Sequence, residues 1–136
     1  MNATKPDLSP LKQHGGKIIH YHEWADGQLT PLMSIDYYQS VLKAMGDKET
    51  RQFYRLFMIP GLAHCVGGVG CGTVDWLTPI VNWVERGTSP GKLIGARVEA
   101  GVTRRTRPLC AYPEVAKYTG TGSIDAAENF TCVTRQ

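Results

Sequence analysis

The sequence predicts an α/β fold built on parallel strands joined by a crossover helix. Two short β-branched and aromatic runs flank a segment of helical periodicity, and strand, helix, strand in one sheet is almost always a right-handed parallel crossover. A chain of 136 residues, 42% hydrophobic and 20% charged, is long enough for one cored domain and too apolar for disorder. One unit is therefore expected over residues 1–136, with a strand and helix body over 1–100 and an irregular tail over 101–136.

The first strand follows Gly15-Gly16, where the run Lys17-Ile18-Ile19-His20-Tyr21-His22 has the residue types that suit a pleated, half-buried surface. It ends at a loop around Asp26-Gly27. From Ser34, the residues Ile35, Tyr38, Leu42 and Met45 recur at helical spacing, with Ser34 as a candidate cap and Gly46 as the stop. The aromatic run from Phe53 to Ile59, halted by Pro60-Gly61, is the second strand. A glycine-rich stretch from Leu62 to Thr73 reads as a flexible loop, because no Lys-Ser/Thr follows it to make a phosphate cradle. Asp75 to Gly87 is a second helix with the stripe Leu77, Ile80, Val81 and Val84, and Gly87 ends it. Lys92 to Val98 forms a further short strand, after which prolines and glycines punctuate a tail of weak periodicity.

Composition narrows the function classes. The net charge is only +3, and the one basic cluster, Arg104, Arg105 and Arg107, reads as a solvated turn, so no nucleic-acid footprint is expected. No run reaches the about 20 apolar residues that span a bilayer, so no membrane partner is expected either. The opening residues hold no apolar signal core, which puts any export segment outside this sequence. Cys65, Cys71, Cys110 and Cys132 make no C-x-x-C pair, so disulfides are favoured over a zinc or redox site.

Asp26 and His64 each lie in a loop just after a predicted strand. Parallel strands put both loops at one sheet edge, where open α/β sheets hold their chemistry. Acid before histidine is also the order of the last two triad members in α/β-hydrolases. In such a triad the carboxylate orients the imidazole, which takes the proton of a serine hydroxyl and returns it to the leaving alcohol.

Longer stretches sharpen this. Pro6 to Ser9, Gly15 to Asp26, Tyr54 to Cys65, Arg107 to Pro113 and Tyr118 to Cys132 together resemble the tannase and feruloyl esterase family, in the family's order and over nearly the whole chain. The resemblance implies the C-terminal portion of an α/β-hydrolase fold with a disulfide-clipped tail. It implies a serine esterase acting on phenolic-acid esters, with Asp26 as triad acid and His64 as triad histidine. It also implies a disulfide between Cys110 and Cys132, and places Cys65 where the family tethers the histidine loop to a cysteine beside the nucleophile. That second cysteine has no counterpart here, so Cys65 is expected to bond either to a missing cysteine or to Cys71, whose own partner is otherwise unassigned. A secreted or periplasmic setting follows from the same likeness.

Two departures accompany it. Glu23 stands where the family usually has glycine, adding charge and bulk beside the acid loop. The nucleophile segment, the oxyanion hole and the lid with its calcium site have no counterpart. The serines at 9, 34, 40, 89 and 123 fall at caps, helices and turns and supply no strand-to-helix elbow. The chain alone is therefore expected to be inactive and to need no cofactor. A metal site built from His20 and His22 with His14 or His64 is the weaker rival, since alternate strand positions bring any polar pair together. The other rival is a non-catalytic remnant that assembles with a partner, as a homo-oligomer or with a missing N-terminal part, through an open sheet edge.

Overall fold

The computed structural model describes residues 4–134. After a short helix α1 (Ser9–Gln13), strand β1 (Ile18–Glu23) leads through a loop into helix α2 (Leu32–Met45) and its brief continuation α3 (Asp47–Arg51), and strand β2 (Tyr54–Ile59) returns parallel to β1. The expected crossover is present, in the register Ile18 to Tyr54 through Glu23 to Ile59.

Both faces of β2 are buried, which is why its sequence reads as an unbroken apolar run rather than an alternation. Tyr54, Leu56 and Met58 face Ile35, Tyr38 and Val41 of α2, while Phe57 and Ile59 join a second core cluster with Leu62, Leu93, Leu109 and Ala111. This alternation makes β2 the central wall between two cores. At the start of β1 and just past its end, the amides of Ile18 and Trp24 donate to carbonyls of Phe53 and Ile59. Since amides alternate sides along a parallel strand, those of Ile19, Tyr21 and Glu23 point to the outer edge, which carries no strand among the described residues.

Ser34 does not cap α2. The helix begins at Leu32 with Pro31 before it, and the Ser34 hydroxyl is engaged by histidines of β1 instead. The second helix, α4 (Leu77–Arg86), is held at its start by the Asp75 carboxylate, which accepts the amides of Leu77 and Thr78 at 3.1 and 3.0 Å. It ends as predicted on left-handed Gly87, whose φ is 69°. Its apolar stripe, however, faces outward: Leu77 is 71% and Val84 58% exposed, and Trp83 is the residue that reaches the interior.

The region after residue 100 is regular, contrary to the irregular tail its composition suggests. Strand β3 (Thr73–Val74), β4 (Lys92–Glu99) and β5 (Val102–Cys110) form an antiparallel sheet, and β6 (Glu114–Tyr118) pairs with β7 (Phe130–Thr134). Ala100 and Gly101 both adopt positive φ, 49° and 77°, giving β4 and β5 a two-residue hairpin of the primed kind without the usual Asn-Gly signal. Arg104, Arg105 and Arg107 belong to β5, not to a turn. The outer half of that strand is exposed, so it has no apolar alternation to announce it. Arg105 pairs with Asp125 at 2.5 Å, and Arg107 lies over the Phe130 ring at 4.1 Å. The chain beyond β5 docks on β2 through the Tyr112 amide, which donates to Leu56 at 2.8 Å.

Cys110 and Cys132 are bonded to each other, joining β5 to β7 across 22 residues of sequence. Closing a loop of that size removes unfolded-chain entropy worth about 3 kcal/mol. Cys65 and Cys71 are both thiols, the first exposed and the second buried, so the bond between them expected as one alternative is absent. Cys71 lies under β4, where its carbonyl occupies the space a side chain on Gly95 would need, and its thiol points at the Arg105 carbonyl, 3.8 Å away.

Candidate active site

The two loops that follow β1 and β2 run on side by side past the strand ends. The amide of Trp24 donates to Ile59 at 2.9 Å and that of Ala25 to Leu62 at 3.0 Å, which brings Asp26 and His64 together. The glycine-rich stretch after His64 is not loose. Val69 and Gly70 amides both donate to the Gly61 carbonyl at 2.9 Å, and Ala63 donates to Gly67 at 3.2 Å, so the stretch folds back onto the histidine loop. Gly68 has φ of 81° and lies so close to the Gly61 carbonyl that no side chain fits, and Gly70 is packed as tightly on Pro60 and Leu62. These glycines serve backbone approach, which composition alone reads as flexibility.

His64 Nδ1 lies 2.8 Å from Asp26 Oδ2. The other carboxylate oxygen accepts the amides of Gln28 and Leu29 at 2.8 and 3.0 Å, an Asx turn that fixes the carboxylate. The Asp26 side chain is 1% exposed and that of His64 33%. Because a carboxylate only accepts, Nδ1 of His64 carries the proton, and Nε2 remains available at the open side. Among the described residues no side chain bonds to Nε2.

The His64 hydrogen bond holds the Asp26 carboxyl well below the usual carboxylate range, against the opposing effect of burial and with help from the Leu29 and Gln28 amides. A folded-state value below the unfolded one means this stabilisation is fully present above the unfolded value, near pH 4, and is lost only as pH falls through the lower folded value. The Asp26 carboxyl carbon, followed by NMR, is expected to remain in its ionised position through the range where exposed aspartates titrate. In His64→Ala its midpoint rises toward the ordinary value; an ordinary midpoint in the unmutated chain contradicts the pairing.

His20 and His22 share one partner rather than presenting free nitrogens. Ser34 Oγ lies 2.7 Å from His22 Nδ1 and 3.0 Å from His20 Nε2, and His20 Nδ1 lies 2.7 Å from the Tyr54 hydroxyl. His22 Nε2 is 3.3 Å from the Leu29 carbonyl and 3.4 Å from Asp26 Oδ2. His22, Glu23 and Asp26 place donor atoms within 4.8 Å of one another, but those of His22 and Asp26 are committed to these hydrogen bonds. This network is not among the features predicted from the sequence. Two histidines spaced by two on a strand, with a serine in the first turn of the helix that covers it, are the signal that was there to be used.

A cleft of about 850 Å³ is lined among others by Trp24, Leu32, Met58, Val69 and Arg107, but by neither Asp26 nor His64.

Adjacent parallel strands whose carboxyl ends bring an acid to a histidine are consistent with an α/β-hydrolase-like fold. Comparison with known proteins gives the family. The family profile described as tannase and feruloyl esterase matches residues 1–133, and the chain belongs to that family. It is 44% identical over 133 residues to mono(2-hydroxyethyl) terephthalate hydrolase of Piscinibacter sakaiensis, covering 96% of this chain and 22% of that protein. It is 40% identical over 135 residues to a probable feruloyl esterase of Arthroderma benhamiae, covering 96% and 25%. Among solved structures, feruloyl esterase B from Aspergillus oryzae superposes with a TM-score of 0.89 at 32% identity, covering 96% of this chain and 29% of that one. Tannin acyl hydrolase from Aspergillus niger gives 0.80 at 29% identity, covering 97% and 25%. The chain thus spans about a quarter of the length of these relatives.

Proposed function

We propose that this chain is the C-terminal portion of the α/β-hydrolase domain of a carboxylic ester hydrolase that cleaves phenolic-acid esters, and that it supplies two members of a Ser-His-Asp triad. The observation that carries this is the 2.8 Å bond from His64 Nδ1 to the buried Asp26 carboxylate, with Nε2 left open. In the complete enzyme Nε2 takes the proton of a serine hydroxyl as its oxygen attacks the ester carbonyl, and returns it to the leaving alcohol. Water then releases the acid from the acyl-enzyme by the same route, and Asp26 stabilises the imidazolium at each stage. This chemistry requires no cofactor, and the family's lid calcium site falls outside the chain.

The remaining features fit a portion of a larger catalytic domain. Leu77, Val81 and Val84 are exposed on α4, and among the described residues the outer edge of β1 carries no strand. Both are surfaces for the part of the enzyme that carries the nucleophile, or for a second copy of the chain when that part is lacking. The exposure of Cys65, directly after His64, supports reading it as the partner of a cysteine of the nucleophile loop. A secreted or periplasmic setting is supported by the Cys110 to Cys132 disulfide. The purified 136-residue chain is expected to show no turnover of a simple aryl ester above its His64→Ala variant; robust turnover abolished by that substitution would sink the assignment of the nucleophile to another segment.

A further inference from the structure

The hydrogen bonds behind Asp26 have a single consistent direction. The Leu29 carbonyl only accepts, so His22 Nε2 carries a proton and donates it there at 3.3 Å, while lying 3.4 Å from Asp26 Oδ2, which also only accepts. In a neutral ring Nδ1 then accepts, and the Ser34 hydroxyl donates to it at 2.7 Å. Ser34 Oγ in turn accepts His20 Nε2–H at 3.0 Å, leaving His20 Nδ1 to accept the Tyr54 hydroxyl at 2.7 Å. Every proton in the sequence Tyr54, His20, Ser34, His22 points toward the loop of Asp26 and Leu29. Burial, aided by the neighbouring His22, pushes His20 toward its neutral form, and burial also keeps the Tyr54 hydroxyl protonated.

We propose that His22 is a positioning residue for the acid and histidine pair, held on the Leu29 carbonyl of the Asp26 turn by the chain through Ser34, His20 and Tyr54. This rests on reading Asp26 and His64 as triad members, and adds a residue that acts through Asp26 rather than on substrate. The physical reason lies in the acid loop. Oδ2 receives His64 Nδ1–H and Oδ1 accepts the Gln28 and Leu29 amides, so a donor that ties down the Leu29 carbonyl steadies the turn that fixes the carboxylate and thereby keeps Oδ2 in line with the imidazole. Three elements converge on the device: β1 carries both histidines, the first turn of α2 carries Ser34, and β2 carries Tyr54. The crossover itself therefore aligns it.

Histidine-selective 15N labelling of the 136-residue chain at about pH 8, where ordinary histidines are neutral, tests this. His20 and His22 are expected as Nε2–H tautomers and His64 as the Nδ1–H tautomer. Ser34→Ala is expected to leave His22 without a fixed tautomer and to speed solvent exchange of the His64 Nδ1 proton about fivefold, equivalent to about 1 kcal/mol of protection. Ser34→Thr, which keeps the hydroxyl, restores both, and His22→Gln, which keeps a donor at the same reach, restores the second. An Nδ1–H tautomer of His22, or unchanged His64 exchange in both Ser34→Ala and His22→Leu while the amide spectrum remains folded, overturns the proposal. His64 as an Nε2–H tautomer instead overturns the triad reading beneath it, so the two failures are told apart.

Discussion

Asp26→Asn, introduced into the complete esterase, is expected to lower kcat by about 10⁴-fold with the fold intact. An asparagine keeps the size of the side chain, and its oxygen can still accept the Gln28 and Leu29 amides that hold Oδ1 in place. The position of Oδ2 then becomes an NH2 group, which cannot accept from His64 Nδ1. The ring must turn its unprotonated Nδ1 toward the amide, and Nε2 then carries the hydrogen and cannot take the serine proton. The loss falls on kcat and kcat/KM alike, because the interaction matters most where the imidazolium forms. A loss of less than about tenfold, measured by steady-state hydrolysis of a phenolic-acid ester, contradicts the role given to Asp26.

The second large effect is on stability. Phe57→Ala is expected to cost about 3–5 kcal/mol of unfolding free energy, read as a lower urea midpoint. Phe57 is fully buried on the side of β2 that meets Leu93 and Leu109, and its backbone pairs with Ala111, so the wall between the two cores is thinned where the tail docks. Removing its ring opens a cavity that the antiparallel sheet on one side and β2 itself on the other leave little freedom to collapse. Since β2 also delivers the His64 loop, the same variant loses activity at temperatures where the unmutated enzyme is unaffected. A cost under about 1 kcal/mol shows that the two cores do not depend on this strand as described.

The body of the fold was legible because its signals are local. The apolar run from Phe53 to Ile59, the helical spacing of Ile35, Tyr38, Leu42 and Met45, and the Gly87 stop each state their own structure, and the crossover rule fixes the strand direction. Asp26 and His64 followed from strand ends plus chain order, and the family likeness named their roles. What stayed hidden depends on partners distant in sequence. The exposed half of β5 has no alternation, and its turn uses Ala100-Gly101 rather than a strong hairpin pair, so the arginines there resembled a turn. Gly68 and Gly70 resembled flexibility because close backbone approach leaves no compositional trace. Ser34 resembled a cap because nothing in its neighbours tells that two histidines of β1 lie under it. The spacing of Leu77, Ile80, Val81 and Val84 marks α4 as striped, yet the exposure of that stripe depends on which surfaces the chain itself supplies.

The central claim, that this chain contributes the acid and histidine while the nucleophile lies elsewhere in the enzyme, is tested most directly by labelling the complete esterase with an organophosphonate and locating the modified serine by peptide mass spectrometry. The account predicts one labelled serine outside residues 1–136 of this sequence, with labelling lost in His64→Ala. A label on Ser9, Ser34, Ser40, Ser89 or Ser123, or labelling indifferent to His64→Ala, contradicts it.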